Sequence, residues 1–464
     1  MRHHASPTSD VRPPSTREQA IPFAVLLGLL VVAYGYWLMV FWPGVLGEDS
    51  RAILMEVHSP DTFHSGKPVM WYWFVSLLYL GSNLVEIPIA TMLGLGTLVL
   101  ARVLGWCWAH GLRKTALFGL LFIGLTPHMV YFLGTLYADG VYSIAVAGLL
   151  FELWLCARNR HAGAASLAMI ALTLPFAVFA RPNGIIFIMP IAAVAWWVGS
   201  AGRRWLVTIL VAWCAVAIAG SRLHKVTHHE ALFPLAIWET VNFLQPRPMN
   251  LWVEAPRVSQ RTLDIMERHS PLQTYASHYD PDYWDPLSYQ PDGPHVMAMT
   301  KSDRKEVVRE FFGYNLWHNL PKFLGSRVNV FFVSAFAQGG LPSHVYAQRV
   351  LADLPANSIY RQFRLDASEK TLLEAYDMSF TYRKLLWTPF LGILLLGWTL
   401  RKGIRSRSFP LLIVALPMAL QLVAIVALSI AGEYRYLLPF FTLPIVLMPA
   451  LLLHSKPARD RSGA

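Results

Sequence analysis

A small set of ionisable residues could do chemistry in this chain, and each lies at the edge of an apolar stretch. They are Glu48, Asp49 and Arg51, then Lys67, Asp139, Arg181, Glu433 and Arg435. Arginine can grip phosphate oxygens with two parallel N–H bonds, and lysine adds a compact positive charge. A carboxylate beside them could take the proton from an attacking hydroxyl. A leaving phosphate needs no acid if cations stabilise its charge as it develops. Taken alone, Asp49 reads first as a helix N-cap, because it precedes the helical pattern Ser50 to Val57. Arg181 and Arg435 could likewise only snorkel to headgroups, or pair with Asp139 or Glu433 to hold helices together.

Those residues need elements to position them, and the composition says what kind. Hydrophobic residues make up 55% of the 464-residue chain and charged ones 14%, with mean hydropathy +0.41. That balance excludes an ordinary soluble domain and fits an all-α polytopic membrane protein. The net charge of +11 does not mark a nucleic-acid binder, because Lys and Arg fall in short connections between apolar segments. Cys107, Cys156 and Cys214 lie in or beside apolar segments, without metal-ligand spacing or a disulfide framework.

Residues 1–20 read as a disordered, basic cytoplasmic tail. Pro22–Trp42 is too long for a signal-peptide core and reads as a retained first span. Its basic flank, Arg12 and Arg17, stays inside, which puts the loop 43–67 outside. Pro68–Tyr79 is too short to cross and rich in Trp and Tyr, so it reads as a juxtamembrane helix. Further spans are expected at Ile87–Trp108, Ala116–Phe132, Tyr142–Leu155, Ala164–Val178, Ile185–Val198 and Leu206–Ala219. Leu386–Leu400, Pro410–Ile430 and Leu437–Leu453 close the membrane part, 385–454, before a basic tail at 455–464. The total is about ten spans, with Lys or Arg in each inner turn. On this topology Lys67, Arg181 and Arg435 lie on the outer side, where the charge rule gives no reason for cations.

Residues 221–384 lack a clear span and are too many for an unstructured connection, so a helical and irregular external domain is expected. Ser302 to Phe336 reads as one or two helices broken at Pro321, with Val328–Phe336 apolar enough to lie on the membrane. The turn-rich, acidic and aromatic stretch Pro271 to Val296 is either a loop over a pocket or an ordinary connection. His224, His228, His229 and Glu230 look like a metal cluster but lack a recognised ligand spacing, and read as solvated loop residues.

The motifs resemble the GT-C superfamily of membrane glycosyltransferases, in particular the group with bacterial aminoarabinose transferase and protein O-mannosyltransferases. Glu48-Asp-Ser-Arg51 ahead of a short helix resembles the acidic first-loop motif, although the usual Asp-Glu order is here Glu-Asp. Lys67-Pro-Val-Met-Trp-Tyr-Trp73 is similar to the run in which a lysine meets the phosphate of a polyprenyl carrier. Leu136-Tyr-Ala-Asp139 matches the second acidic position, and Arg181-Pro-Asn-Gly184 and Glu433-Tyr-Arg-Tyr436 resemble motifs at later helix ends.

The resemblance implies an inverting transfer of a sugar from a polyprenyl-phosphate donor, on the periplasmic side of an inner membrane. The acceptor would be lipid A, a surface polysaccharide or a protein. Asp49 would be the base, Glu48 could assist, and Asp139 would position sugar or acceptor. Lys67, Arg51, Arg181, Glu433, Arg435 and Tyr436 form the lipid-phosphate and substrate-binding set. No obligatory metal or other cofactor is implied, though Asp49 and Asp139 could bind Mg or Mn through oxygen. An O-antigen polymerase or ligase would lean on loop arginines instead. A transporter or flippase would need midplane charges and broken helices in paired halves, which the sequence does not show.

Overall fold

The computed structural model describes residues 16–224, 232–246, 257–342 and 346–454, and among them it holds helices and irregular segments with no extended strand. Among the described residues six helices are long and apolar enough to cross a membrane, or seven if one sharply bent pair counts as a single span. The chain is therefore a helical, multi-pass membrane protein.

The first helix, α1 (Thr16–Val40), starts five residues before the expected tail ends, and the rest of that tail lies outside the described residues. It is followed by α2 (Glu48–His58), α3 (Val69–Tyr79) and α4 (Glu86–Ala109). The expected span 116–132 is instead bent by 65° between 113–124 and 127–133. Pro127 explains the break: it forces Thr126 out of the helical region (φ −67°, ψ 135°), and a wide helical turn over Leu120–Gly124 precedes it.

Next in order come α5 (Ala138–Asn159), α6 (Ala164–Phe179), a 3₁₀ turn Pro182–Phe187, α7 (Ile188–Trp197) and α8 (Ser200–Leu223). Helix α5 is buried at every position from Ala138 to Ala157, so it is the centre of the bundle. Lipid tails give apolar helices no hydrophobic reason to pair, so close packing must hold them. Gly148 supplies it, since a β-carbon there would lie 2.8 Å from Val99 of α4. By contrast, α8 fully buries only Gly202, Leu206 and Gly220, packs Ile209, Leu210 and Trp213 partly against the core, and shows much of its other apolar surface to the surroundings.

Residues 233–330 build a second hydrophobic cluster around Trp238, Phe243, Tyr275 and Phe311. Its main helices are α9 (Phe233–Leu244) and α10 (Leu320–Ala335). Pro321 sits in the first turn of α10, and the expected break falls just before it at Asn319 (φ −127°). A buried ion pair between Arg327 of α10 and Glu239 of α9 crosses the cluster, and Arg327 also donates to the carbonyl of Ser429. That last bond fastens the cluster to the bundle. Residues 346–387 do not share this core. They pack on the bundle itself, with Tyr376 stacked on Tyr131 at 4.4 Å and the Arg361 amide bonded to the Trp42 carbonyl at 3.1 Å.

The chain closes with α11 (Phe390–Arg405), α12 (Phe409–Leu428), a 3₁₀ turn Tyr434–Leu437 and α13 (Pro444–His454). The expected final tail, 455–464, lies outside the described residues. Contacts at the helix ends fix the directions. The residues that follow α1 meet the turn before α13, the start of α5 meets the end of α6, and α2 meets the end of α8. At the opposite end Arg102 of α4 holds Glu152 of α5 at 2.7 Å, and Lys402 of α11 reaches the Leu451 carbonyl of α13. Five chain segments thus meet at one end of the bundle.

Candidate functional site

Asp49 occupies the second position of α2, and the cap is Gly47. The Gly47 amide donates to Ser50 Oγ at 3.2 Å, and the first helical bond runs from the Arg51 amide to the Gly47 carbonyl. The reading of Asp49 as a cap is thereby corrected: backbone and Ser50 do that work, and the carboxylate points elsewhere. Lys67 Nζ lies 2.6 Å from Asp49 Oδ2, and Arg435 bonds the same oxygen from the far end of the chain. Gly47 also lets the helix start come close to Tyr137, since a β-carbon there would sit 2.2 Å from the Tyr137 hydroxyl.

Around this centre the expected residues largely converge. Arg435 holds Glu433 Oε2 at 2.7 Å and lies over the rings of Tyr137 (5.4 Å) and Tyr436 (5.7 Å). Arg181 covers the Tyr436 ring at 5.1 Å and pairs with Asp139 at 2.9 Å. Arg181 is extended (φ −139°, ψ 145°) because Pro182 follows, and that turns its side chain back over the start of α5. Tyr436 therefore stands between two arginine–carboxylate groups. Asp139 is 3% exposed, whereas Asp49 and Lys67 are 22% and 23% exposed, so of the two carboxylates Asp49 is the one solvent can reach.

Two expected residues stay out. Arg51 turns to Asp353 at 3.2 Å, and Glu48 is exposed to solvent rather than facing the cluster. Neither joins the cluster around Asp49. Asp49 and Asp139 are held by different cations, the first by Lys67 and Arg435 and the second by Arg181.

The stretch Pro271 to Val296 covers this end. The Trp284 amide donates to the Ile430 carbonyl, the Gly432 amide donates to the Asp282 carbonyl at 2.7 Å, and Tyr283 pairs with Ala431. These bonds seat Asp285 close to Glu433 and Asp49, a placement that spacing in the sequence could not reveal. Packing around Asp285 and the Glu433 charge push its carboxyl up to about 6, although its side chain still reaches solvent. Asp49 moves the other way. Burial would raise it, but the Arg435 and Lys67 charges outweigh burial and hold it well below the usual carboxylate range. Two carboxyls in one cluster thus differ in the ease with which they take a proton.

His224 is a correction. It is not a solvated loop residue: its ring is buried, stacked on Tyr72 at 3.8 Å, with Nε2 2.8 Å from Glu56 Oε1. His228, His229 and Glu230 lie outside the described residues. The only signal for Glu56 was its place one helical heptad after Asp49, which puts both on a similar face of α2. A cavity of about 150 Å³ lies far from all this, lined by Ile191, Trp196, Arg203 and Leu210 at the opposite end of α7 and α8. No family model, curated protein or solved structure matches the chain.

Proposed function

We propose that this chain is a membrane glycosyltransferase that moves a sugar from a polyprenyl-phosphate donor to an acceptor hydroxyl with inversion. On this reading it crosses an inner membrane about ten times, and its site faces the periplasm. The acceptor belongs to lipid A, a surface polysaccharide or a protein. One observation carries the reading: a solvent-reachable carboxylate, Asp49, is shared by two cations, Lys67 and Arg435, where the helix ends meet.

A carboxylate so strongly paired is a weak base at rest. The donor's phosphodiester competes for the same cations. As Lys67 and Arg435 turn toward the phosphate, Asp49 loses the charges that hold its proton affinity down, and it can accept the proton of the acceptor hydroxyl. The hydroxyl oxygen then attacks the anomeric carbon, the bond from that carbon to the phosphate oxygen breaks, and the lipid phosphate leaves with the bonding electrons. The two cations stabilise the charge it gains. Arg435 suits this role better than Arg181, which is committed to the nearly inaccessible Asp139. Asp139 and Arg181 instead hold Tyr436 in place as one wall of the site.

The test uses purified full-length protein in lipid nanodiscs with a labelled polyprenyl-phosphate sugar. Asp49→Asn should lower turnover by about 10²–10⁴-fold, the usual contribution of a positioned base. Lys67→Ala should raise the donor KM and also lower turnover, because the leaving phosphate loses one of its two cations. Wild-type turnover in both variants, with normal folding, would refute the assignment.

A further inference from the structure

We propose that Glu56, His64 and His224 form a binding site for one divalent transition-metal ion of the zinc type, which fixes the turn that carries Lys67. One donor atom from each of the three side chains lies within 4.8 Å of the others. Glu56 comes from α2, His64 from the turn before α3, and His224 from the end of α8. Three separate segments thus bring two imidazoles onto one carboxylate oxygen.

The geometry is close to that of a loaded site. His224 Nε2 is 2.8 Å from Glu56 Oε1, and His64 Nδ1 is 3.7 Å from the same oxygen. Ligands on a tetrahedral zinc, at about 2.0–2.1 Å from the ion, stand about 3.3 Å apart. The two observed separations bracket that value, so small side-chain rotations admit the ion. An ion pair of Glu56 with His224 accounts for only half of the arrangement. It leaves His64 Nδ1 as a buried nitrogen with no hydrogen-bond partner. A metal supplies that partner.

The surroundings behave as supporting groups for a metal site. Glu56 Oε2 accepts from the amide of Ser65 at 3.1 Å and from the Ser65 hydroxyl, which orients the carboxylate and leaves Oε1 for the ion. The Tyr72 ring stacks on His224 and holds the imidazole plane. Two nitrogens and one oxygen select zinc or its neighbours over magnesium or calcium, which take oxygen ligands. Three protein ligands leave a fourth position for water.

The location gives the ion its role. Asp49 and Glu56 lie two turns apart on α2, and Lys67 follows His64 by three residues. Metal at Glu56, His64 and His224 therefore clamps the turn 59–68 against α2 and α8, and holds Lys67 at Asp49. It is a positioning group for that ion pair and not a partner in bond breaking.

The experiment measures binding, so it does not depend on the proposed activity. Full-length protein in detergent is stripped with a chelator, reloaded with Zn²⁺, passed through gel filtration and assayed for bound metal by mass spectrometry. Wild type should keep about one zinc per chain, His64→Ala and His224→Ala should lose it, and His58→Ala should keep it. Mg²⁺ should not replace it. Cobalt loading of wild type gives a second readout that needs no variant, the visible absorption of a tetrahedral Co²⁺ site. Wild type that returns with no zinc above buffer and no cobalt band overturns the proposal, as does zinc retained by the His64→Ala/His224→Ala double variant. Failure of the sugar-transfer assay with zinc still bound would strike only the glycosyltransferase reading.

Discussion

Asp285→Asn should make the protein more stable and a better anion binder at neutral pH, while leaving it unchanged in mild acid. With Asp285 ionised, Asp49, Glu433 and Asp285 outnumber the cations Lys67 and Arg435 by one charge. Lifting a carboxyl from 3.8 to about 6 corresponds to about 3 kcal/mol. Asp285 still reaches solvent, and screening cuts this to about 1 kcal/mol. The sign follows from the raised folded-state value. Stability linked to Asp285 is fully present below its unfolded value near 4 and is lost as pH rises through about 6. The variant, which never ionises, should therefore exceed wild type by about 1 kcal/mol at pH 7.5 and match it near pH 4. Binding of a dialkyl phosphate, whose charge is constant over this range, should weaken in wild type as pH rises through about 6 and Asp285 gains its charge. In Asp285→Asn it should stay level. Thermal unfolding and titration calorimetry at matched pH would measure both. Parallel wild-type and variant curves across pH 5 to 7.5 would refute the placement of Asp285 beside this cluster.

Three further outcomes follow from particular contacts. Glu239→Ala strands the buried Arg327, which keeps the Ser429 carbonyl, the Ser326 hydroxyl and the faces of Trp238 and Phe323 but no counter-charge, and should cost about 3–5 kcal/mol. Glu239→Leu with Arg327→Met should cost far less, read as hydrogen-exchange protection of residues 233–244. Gly140→Ala would place a β-carbon 2.1 Å from the Phe132 carbonyl oxygen, where rigid backbone cannot yield, so membrane yield of folded protein should collapse. Glu48→Gln should change stability by less than about 0.5 kcal/mol and leave sugar transfer intact, because Glu48 is exposed outside the cluster.

The helical, multi-pass character was legible because hydropathy is a local signal, although six or seven helices among the described residues are long enough to span where about ten were expected. Every segment expected to be apolar contains a helix, and the loops bearing Asp49, Lys67, Asp139, Arg181 and Arg435 do come to one end. What the pattern missed was set by contacts between distant positions. The break at Thr126 could have been read from Pro127, but the apolar run hid it. Arg51 looked equal to Lys67 until Asp353 captured it across a separation of 302 residues. Asp285 depends on how Asp282 and Trp284 seat on residues 430–432. His224 read as solvated because its partner lies 168 residues earlier. Charge near an apolar edge says which residues can meet, and only the packed helices say which do.

The place of Asp49 on α2 adds a step to that argument. A carboxylate in the first turn of a helix is stabilised as an anion by the helix dipole, so Asp49 is disfavoured as a base by its own element before any cation is counted. Lys67 and Arg435 deepen the effect. A residue kept for basicity alone would be poorly placed here, while one kept to hold two cations ready would be well placed. Both demands are met if the cations leave for a phosphate when the donor arrives, because only then does the carboxylate need a proton. On the proposed reading, electrostatics orders the events: donor phosphate first, acceptor deprotonation second. In Lys67→Ala, Arg435 alone must serve both anions, so donor binding and turnover should both suffer.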